Sequence, residues 1–294
     1  MTLQVVDPHI HFWDMVPGNY PGLDSPGEGF LGDSRPMCVP HLPADLKALA
    51  GDIDILKVVH IDAIAADPLR ETRWLQQLAD ETGLPNAIVA YVDLSRPDAD
   101  AQLEAHCTAS NLRGIRQILN VHPDKTYDYV GRAFMDEPGW LAGFALLERH
   151  GLSFDLQLYP HQMPRAAEVA RRFPGTPIVL NHAGMFVDRA TPQGWREWRD
   201  GMRLLASCDN VHVKISGLGM FDHRWTIESI RPYAHECIDA FGVERAMFAS
   251  NFPVDRLFSD YATLWHAFAE AVSGVTADEQ ARLFRTNAER FYRI

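Results

Sequence analysis

The sequence predicts an α/β protein folded as one distorted (β/α)8 barrel over residues 1–294. Short apolar runs alternate with longer amphipathic stretches, and eight such units follow one another without a linker. Eight consecutive βα units are typical of a closed barrel. An open, doubly wound sheet usually has a Gly-rich turn after its first strand, and the sequence has none there.

The predicted strands are short and almost entirely apolar, as in residues 55–59, Ile-Leu-Lys-Val-Val. Strands of a parallel sheet are buried on both faces, and nearly continuous apolar runs are typical of them. The predicted strands cover residues 3–6, 53–61, 86–92, 112–119, 152–158, 177–180, 211–215 and 246–249.

Amphipathic stretches between the strands predict the helices. Asp67 and Pro68 provide an N-cap followed by Pro at the first helical position, and Gly83 lies just beyond that helix. Gly151 is placed to end another helix. The predicted helices cover residues 67–81, 136–150, 161–173, 191–206 and 226–241.

Two segments depart from an ideal barrel. Residues 14–43 form a long connection rich in Pro and Gly, without periodicity, directly after the first strand. We expect it to lie over the catalytic face as a lid or pocket wall, the alternative being a surface excursion. Thr276 and Glu279 have capping-box spacing and predict an extra C-terminal helix over residues 276–292. This helix should close the bottom or the side of the barrel.

The composition narrows the function classes. The formal net charge is -12 and no cluster of Lys or Arg occurs, so we expect no nucleic-acid binding. No apolar run approaches the length of a membrane span, and four widely separated cysteines are typical of reduced thiols. We expect a cytoplasmic protein that acts on a small molecule, and the sequence leaves a homo-oligomer open.

The first strand ends in a pair of histidines, in the sequence Asp-Pro-His-Ile-His over residues 7–11. Side chains alternate along a strand, so Asp7, His9 and His11 should share one face at its carboxyl end. Two neutral imidazoles can ligate one Zn²⁺ or a similar ion. Alternatively, they can bind a carbonyl or an oxyanion without a metal.

Two other strand ends carry candidate catalytic groups. His182 follows the sixth strand, while Asn251 and Asp255 follow the eighth. Asn251 can form hydrogen bonds but cannot act as a base. The alternative for His182 is a core or loop histidine. The alternative for Asp255 is a helix N-cap or a partner in the neighbourhood of Arg256.

The remaining strand ends offer His60, Arg116, Gln157 and Lys214 as candidate substrate-binding residues. Arg116 could donate two parallel hydrogen bonds to a substrate carboxylate. Lys214 is a lone cation in an apolar strand, where a buried lysine needs a partner or a lowered pKa. An ion pair with a carboxylate of a neighbouring strand explains Lys214 equally well.

Together these residues resemble the amidohydrolase superfamily, in the branch containing 2-pyrone-4,6-dicarboxylate lactonase, L-fuconolactonase and L-rhamnonolactonase. The resemblance implies a distorted barrel, hydrolytic chemistry, and an active site containing His9, His11 and His182. It runs along the whole chain, through residues 6–14 (VDPHIHFWD), 71–75 (ETRWL), 114–116 (GIR), 181–184 (NHAG), 250–254 (SNFPV) and 287–292 (NAERFY).

One position departs from the superfamily pattern. The superfamily usually has an Asp at the end of the eighth strand, as general base and often as metal ligand, and here that position is Asn251. An amide cannot take a proton from water or offer a metal an anionic oxygen. The resemblance therefore leaves open whether a divalent ion, zinc or manganese, binds to His9 and His11 or whether no metal binds.

We therefore predict a hydrolase that opens a small sugar-derived or dicarboxylate lactone by water attack. The carbonyl is polarised by a metal on His9 and His11, or by those imidazoles with His182. Asp255 is the first choice of base and His182 the second. A decarboxylase or hydratase of the same superfamily is one alternative. Another alternative is a binding protein without catalytic activity that kept the pocket and lost the base. It is suggested by Asn251, which stands where the superfamily usually has its basic Asp.

Overall fold

A computed structural model describes residues 2–294, and its main sheet contains eight parallel strands that follow one another in chain order. The barrel strands are β1 (Gln4–Ile10), β4 (Asp54–Ile61), β5 (Ala87–Tyr91), β6 (Leu112–Ile118), β7 (Ser153–Gln157), β8 (Ile178–Leu180), β9 (Val211–Ile215) and β10 (Ala246–Phe248). A separate antiparallel ribbon joins β2 (Glu28–Gly29) to β3 (Gly32–Asp33). All eight predicted barrel strands are found within about three residues of their expected bounds, except that β1 extends further to Ile10.

The barrel closes through the segment that follows β10. The His11 N–H donates to the Phe252 carbonyl at 2.8 Å, and the Asn251 N–H donates to the His9 carbonyl at 2.9 Å. These bonds bring the ends of the first and last barrel strands together. The predicted (β/α)8 barrel is confirmed.

Helices surround the strands and occupy most of the predicted positions. Their bounds are α1 (Pro21–Asp24), α2 (Pro43–Leu49), α3 (Pro68–Thr82), α4 (Ala99–His106), α5 (Pro138–Phe144), α6 (Leu146–Arg149), α7 (Met163–Arg172), α8 (Pro192–Ala206), α9 (Ile227–Phe241), α10 (Tyr261–Ala271), α11 (Ala277–Ala281) and α12 (Asn287–Tyr292). Within residues 2–294, no helix combines the length and apolar composition that crossing a membrane requires.

The end signals of α3 work as predicted. The Asp67 carboxylate accepts from the Arg70 N–H at 3.0 Å, and Gly83 adopts a left-handed φ of 81° just after the helix. Two other predicted helices are interrupted. Residues 136–150 divide into α5 and α6, and residues 276–292 contain a π-helical turn at Arg282–Thr286 between α11 and α12.

Helix α12 closes the bottom of the barrel, one of the two places predicted for it. The inside of the barrel holds a small apolar core that includes Val6, Val59, Val89, Val179 and Met247. Phe291 and Tyr292 of α12 belong to the same core. A second, larger core lies between the strands and the outer helices.

Candidate active site

The end of β1 contains a bulge that changes which side chains face inward. Asp7 lies opposite Val58 of β4, whereas Ile10 lies opposite His60, so three steps along β1 match two steps along β4. An extra residue in one strand reverses the alternation of side chains beyond it. The prediction that Asp7 shares a face with His9 and His11 is therefore wrong.

Asp7 instead links β1 to the segment after β10 and to α10. Its carboxylate is fully buried. It accepts from the Ser250 N–H at 3.0 Å, from the Ser250 hydroxyl, and from the Tyr261 hydroxyl at 3.0 Å. Burial raises the pKa of Asp7, and the hydrogen bonds from Ser250 and Tyr261 oppose that rise.

Three imidazoles meet at the centre of the barrel mouth. The ring centroid of His9 lies 5.1 Å from that of His11 and 4.4 Å from that of His182. Burial lowers the pKa of all three, that of His11 to about 3, so each imidazole is neutral near pH 7. Neither ring nitrogen of His9 has a hydrogen-bond partner within residues 2–294.

Hydrogen bonds from the barrel orient two of these rings. His11 Nδ1 lies 2.8 Å from the Ile61 carbonyl, which can only accept, so Nδ1 carries the proton and Nε2 is a lone-pair acceptor. His182 Nδ1 lies 3.0 Å from the Ser216 hydroxyl. Sequence reasoning missed Ser216, although it directly follows β9 and lies two residues after Lys214, a spacing that turns both side chains to the same side of an extended chain.

Backbone strain marks the ends of two strands. His182 has a φ of 54° and Asn251 a φ of 59°, both in the left-handed region. Such conformations cost free energy in residues other than glycine and are concentrated at functional sites. The Asn251 side chain is buried, and its Nδ2 makes no well-formed hydrogen bond within the described chain.

The histidines do not make up a complete metal site. Neutral imidazole nitrogens suit zinc, and those of His9 are free. However, residues 2–294 contain no group of three or more His, Cys, Asp or Glu side chains arranged to hold an ion. The strand-end position that would supply an anionic oxygen holds Asn251, and the positive charges of Arg116 and Lys214 lie near the imidazoles.

Arg116 and Gln157, both predicted to bind substrate, line the cavity above the histidines. The Arg116 guanidinium is already paired. Its Nε and Nη2 donate to Asp62 Oδ2 at 3.0 and 2.9 Å, and its Nη1 donates to Gln157 Oε1 at 3.2 Å. The guanidinium nitrogens predicted to bind a substrate carboxylate therefore already donate to Asp62.

The structure does not bring His60 to the cavity. Its Nδ1 accepts from the Phe12 N–H at 3.0 Å, and its Nε2 lies 3.8 Å from a carboxylate oxygen of Glu71 on α3. Because Val59 and Ile61 belong to the inner core, alternation turns the intervening His60 toward the outer helices.

Lys214 also lies outside the cavity, one layer deeper in the barrel. It forms an ion pair with Asp155, and both side chains are fully buried. The Tyr292 hydroxyl contacts both Asp155 oxygens at 3.0 Å. Of the two interpretations of Lys214, the structure therefore shows the ion pair with a neighbouring strand. It does not place Lys214 where a substrate in the cavity could touch it.

Asp255 lies behind Asn251 and does not reach the cavity, whose wall at this point is formed by Asn251 and Val254. The Asp255 side chain is buried, and its Oδ2 has no partner within residues 2–294. Burial raises the pKa of Asp255 to about 8, and a weak hydrogen bond from Asn251 opposes the rise. Asp255 is therefore mostly protonated at pH 7.

The cavity above the imidazoles has a volume of about 490 Å³. His11, Arg116, Gln157, His182 and Asn251 contribute to its lining. Its walls include residues of the long connection over 14–43, which confirms that this segment is a pocket wall. A larger, open hollow on the outside of the barrel touches none of the predicted site residues.

Comparison with known proteins identifies the family. Residues 6–294 match the sequence family described as Amidohydrolase. The chain belongs to the amidohydrolase family. Membership of this family supports a hydrolase acting on a small molecule, on a (β/α)8 barrel.

Relatives of this amidohydrolase extend over its full length. A protein of Sinorhizobium fredii, y4mH, is 45% identical over 99% of both chains. An L-fucono-1,5-lactonase of Burkholderia ambifaria is 30% identical over 100% of this chain and 97% of its own. The crystal structure of a Burkholderia multivorans amidohydrolase with bound zinc superposes with a TM-score of 0.83, at 28% identity over 99% of both chains.

Removing the partner of Lys214 should destabilise this amidohydrolase strongly. We expect Asp155→Asn to lower the free energy of unfolding by about 3–5 kcal/mol, because it leaves a buried ammonium without a counter-charge. Urea denaturation measures this change. The double variant Asp155→Leu/Lys214→Met removes both charges and should lose less. A loss of under about 1 kcal/mol in Asp155→Asn would contradict a charged pair.

The buried Asp255 should make folding stability depend on pH. Its pKa is about 8 in the folded protein, against an ordinary value of 3.8, so the folded state binds this proton more tightly than the unfolded state does. Protonation therefore stabilises the folded state, and this stabilisation is complete below about pH 4. That contribution is lost as pH rises toward 8. Relative to wild type, Asp255→Asn should therefore gain stability over this range, by at most about 1.4 kcal/mol per pH unit.

Urea denaturation at several pH values tests this expectation. The exposed Asp200 provides a matched control, since Asp200→Asn should show a difference from wild type that hardly varies with pH. A constant difference for Asp255→Asn as well would show that Asp255 ionises normally in the folded protein.

Proposed function

We propose that this amidohydrolase opens lactone rings by attack of water on the ring carbonyl, with His182 as the base. One observation carries the proposal: the neutral, buried imidazoles of His11 and His182 line the floor of a cavity and both pack against His9. Beside them lies the Asn251 amide, whose nitrogen has no well-formed hydrogen bond within residues 2–294. The relationship to an L-fucono-1,5-lactonase supports a lactone as the substrate class.

His182 is suited to accept the proton of the attacking water. It lines the cavity, and with the proton on Nδ1 donated to the Ser216 hydroxyl, its Nε2 carries a free lone pair. As water adds to the carbonyl, one water proton passes to Nε2. The ring C–O bond then breaks, and the same proton passes to the departing ring oxygen, which regenerates neutral His182.

Asn251 is suited to stabilise the oxyanion. An amide nitrogen carries two hydrogens, so a contact with Asp255 leaves one to donate to the tetrahedral intermediate. Because Asn251 is buried, this hydrogen bond would be little weakened by competing water. Asn251 thus replaces a carboxylate base by a hydrogen-bond donor.

Asp255, the first choice from sequence, is assigned a positioning role. It is buried behind Asn251 and mostly protonated at neutral pH, so it resembles an amide more than a base. We infer that it holds the Asn251 side chain toward the cavity.

Two substitutions test the assignment of the base. His182→Asn should lower kcat for a lactone by roughly 100-fold or more, the usual contribution of a general base. Asp255→Asn, which imitates the protonated acid, should lower kcat by less than about tenfold. Thermal melting of both variants controls for misfolding. The reverse pattern would move the base to Asp255, and a wild-type protein inactive on every lactone would favour a binding protein.

Chelation tests the role of a metal. Since the residues present do not complete a metal site, we expect turnover to survive dialysis against a strong chelator, with metal content measured before and after. His9→Asn should then impair activity equally with and without added zinc. Loss of turnover on dialysis, restored by zinc or manganese, would overturn the metal-free mechanism.

A further inference from the structure

We infer that the preferred substrate is an uncharged lactone that carries an apolar alkyl or aryl group. This inference rests on the proposed lactone hydrolysis and adds the substrate class, which the family leaves open. It comes from the unequal distribution of polar and apolar side chains over the cavity.

The imidazoles and Asn251 form a polar floor, and other polar side chains, among them Asn120 and Asp128, are spread over the rest of the lining. Much of the wall is apolar, and it is built from the segment after β1 on one side and from two methionines on the other. Its main members are Trp13, Leu23, Phe30, Leu31, Met185 and Met220. A lactone carbonyl at the floor would therefore place a ring substituent against apolar walls.

Several polar groups of the walls are already bonded to the protein. The Trp13 indole N–H donates to the Val39 carbonyl at 2.6 Å, and the Tyr159 hydroxyl donates to the Tyr127 carbonyl at 2.9 Å. Asp128 accepts from Lys125 at 2.7 Å. Asn120 Oδ1 is a buried acceptor without a partner within residues 2–294. A polyhydroxylated lactone would still lose more hydrogen bonds to water than the bonded wall groups can replace, which costs binding free energy.

The cavity also lacks a free counter-charge for an acidic substrate. Among the described residues that line it, Arg116 is the only Lys or Arg, and its guanidinium is held by Asp62. A substrate carboxylate would be buried without a cation or would compete with Asp62 for Arg116. A dicarboxylate lactone therefore fits poorly.

The aromatic wall suits a flat or branched substituent. Phe30 packs edge-on against Tyr127, with ring centroids 5.6 Å apart, and lies 5.3 Å from the ring of Phe221. These contacts hold the Phe30 ring in place at the cavity rim. A volume of about 490 Å³ leaves room for a substituent beyond a bare lactone ring.

The test compares kcat/KM for four lactones on the purified full chain: dihydrocoumarin, δ-decanolactone, L-fucono-1,5-lactone and 2-pyrone-4,6-dicarboxylate. We expect the first two to exceed the last two by at least tenfold. In a series of δ-alkyl lactones, each added methylene should raise kcat/KM roughly three- to fourfold until the cavity is filled.

A wall variant with a matched control tests the location of the substituent. Leu31→Ser should raise KM for δ-decanolactone at least fivefold with kcat nearly unchanged, and should leave kcat/KM for the sugar lactone unaltered. Val16→Ser is the control, because Val16 belongs to the same segment but is exposed and does not line the cavity.

The outcomes separate this inference from the proposed function. Preference for the sugar lactone or the dicarboxylate would overturn the apolar substrate class while leaving lactone hydrolysis intact. Hydrolysis of none of the four would overturn both. An equal effect of Leu31→Ser on all lactones would show that the segment acts on folding or closure and not on specificity.

Discussion

The buried carboxylate of Asp7 is the interaction on which the site depends. A carboxylate without solvent must have its hydrogen bonds supplied by the protein, and Ser250 and Tyr261 supply them. Those bonds fix the end of the first barrel strand against the end of the last. Asp7 points outward because the preceding Val6 points inward, and the bulge between Asp7 and Ile10 then turns His9 and His11 inward. The imidazole cluster therefore depends on an irregularity next to the residue that closes the barrel.

Most of the barrel could be predicted from the sequence because parallel strands leave a direct signature of apolar runs. Helix ends such as Asp67 and Gly83 were equally readable, since capping is a local interaction. The interruption of the C-terminal helix and the helix over Tyr261–Ala271 were missed. A π-helical turn has no strong local signal, and the mostly apolar composition of the second segment hid its amphipathic pattern.

The candidate site was predictable where position along a strand decided the outcome. His11, Arg116 and His182 do reach the cavity. His60 failed because alternation turns it outward, and Lys214 failed because it faces inward one layer too deep. Both errors concern depth and direction inside the barrel, which register and bulges determine. Register depends on pairing between strands that are distant in sequence, so a single chain read residue by residue does not reveal it.

The position of Tyr292 has a consequence for biosynthesis. Its hydroxyl reaches Asp155 in the middle of the barrel, and its ring belongs to the inner core that all earlier strands surround. During translation the strands emerge first, while the residue that seals their interior is still inside the ribosome. The polar pair of Asp155 and Lys214 is therefore exposed to water until residue 292 leaves the exit tunnel. Sealing of the barrel interior therefore follows the synthesis of all eight strands.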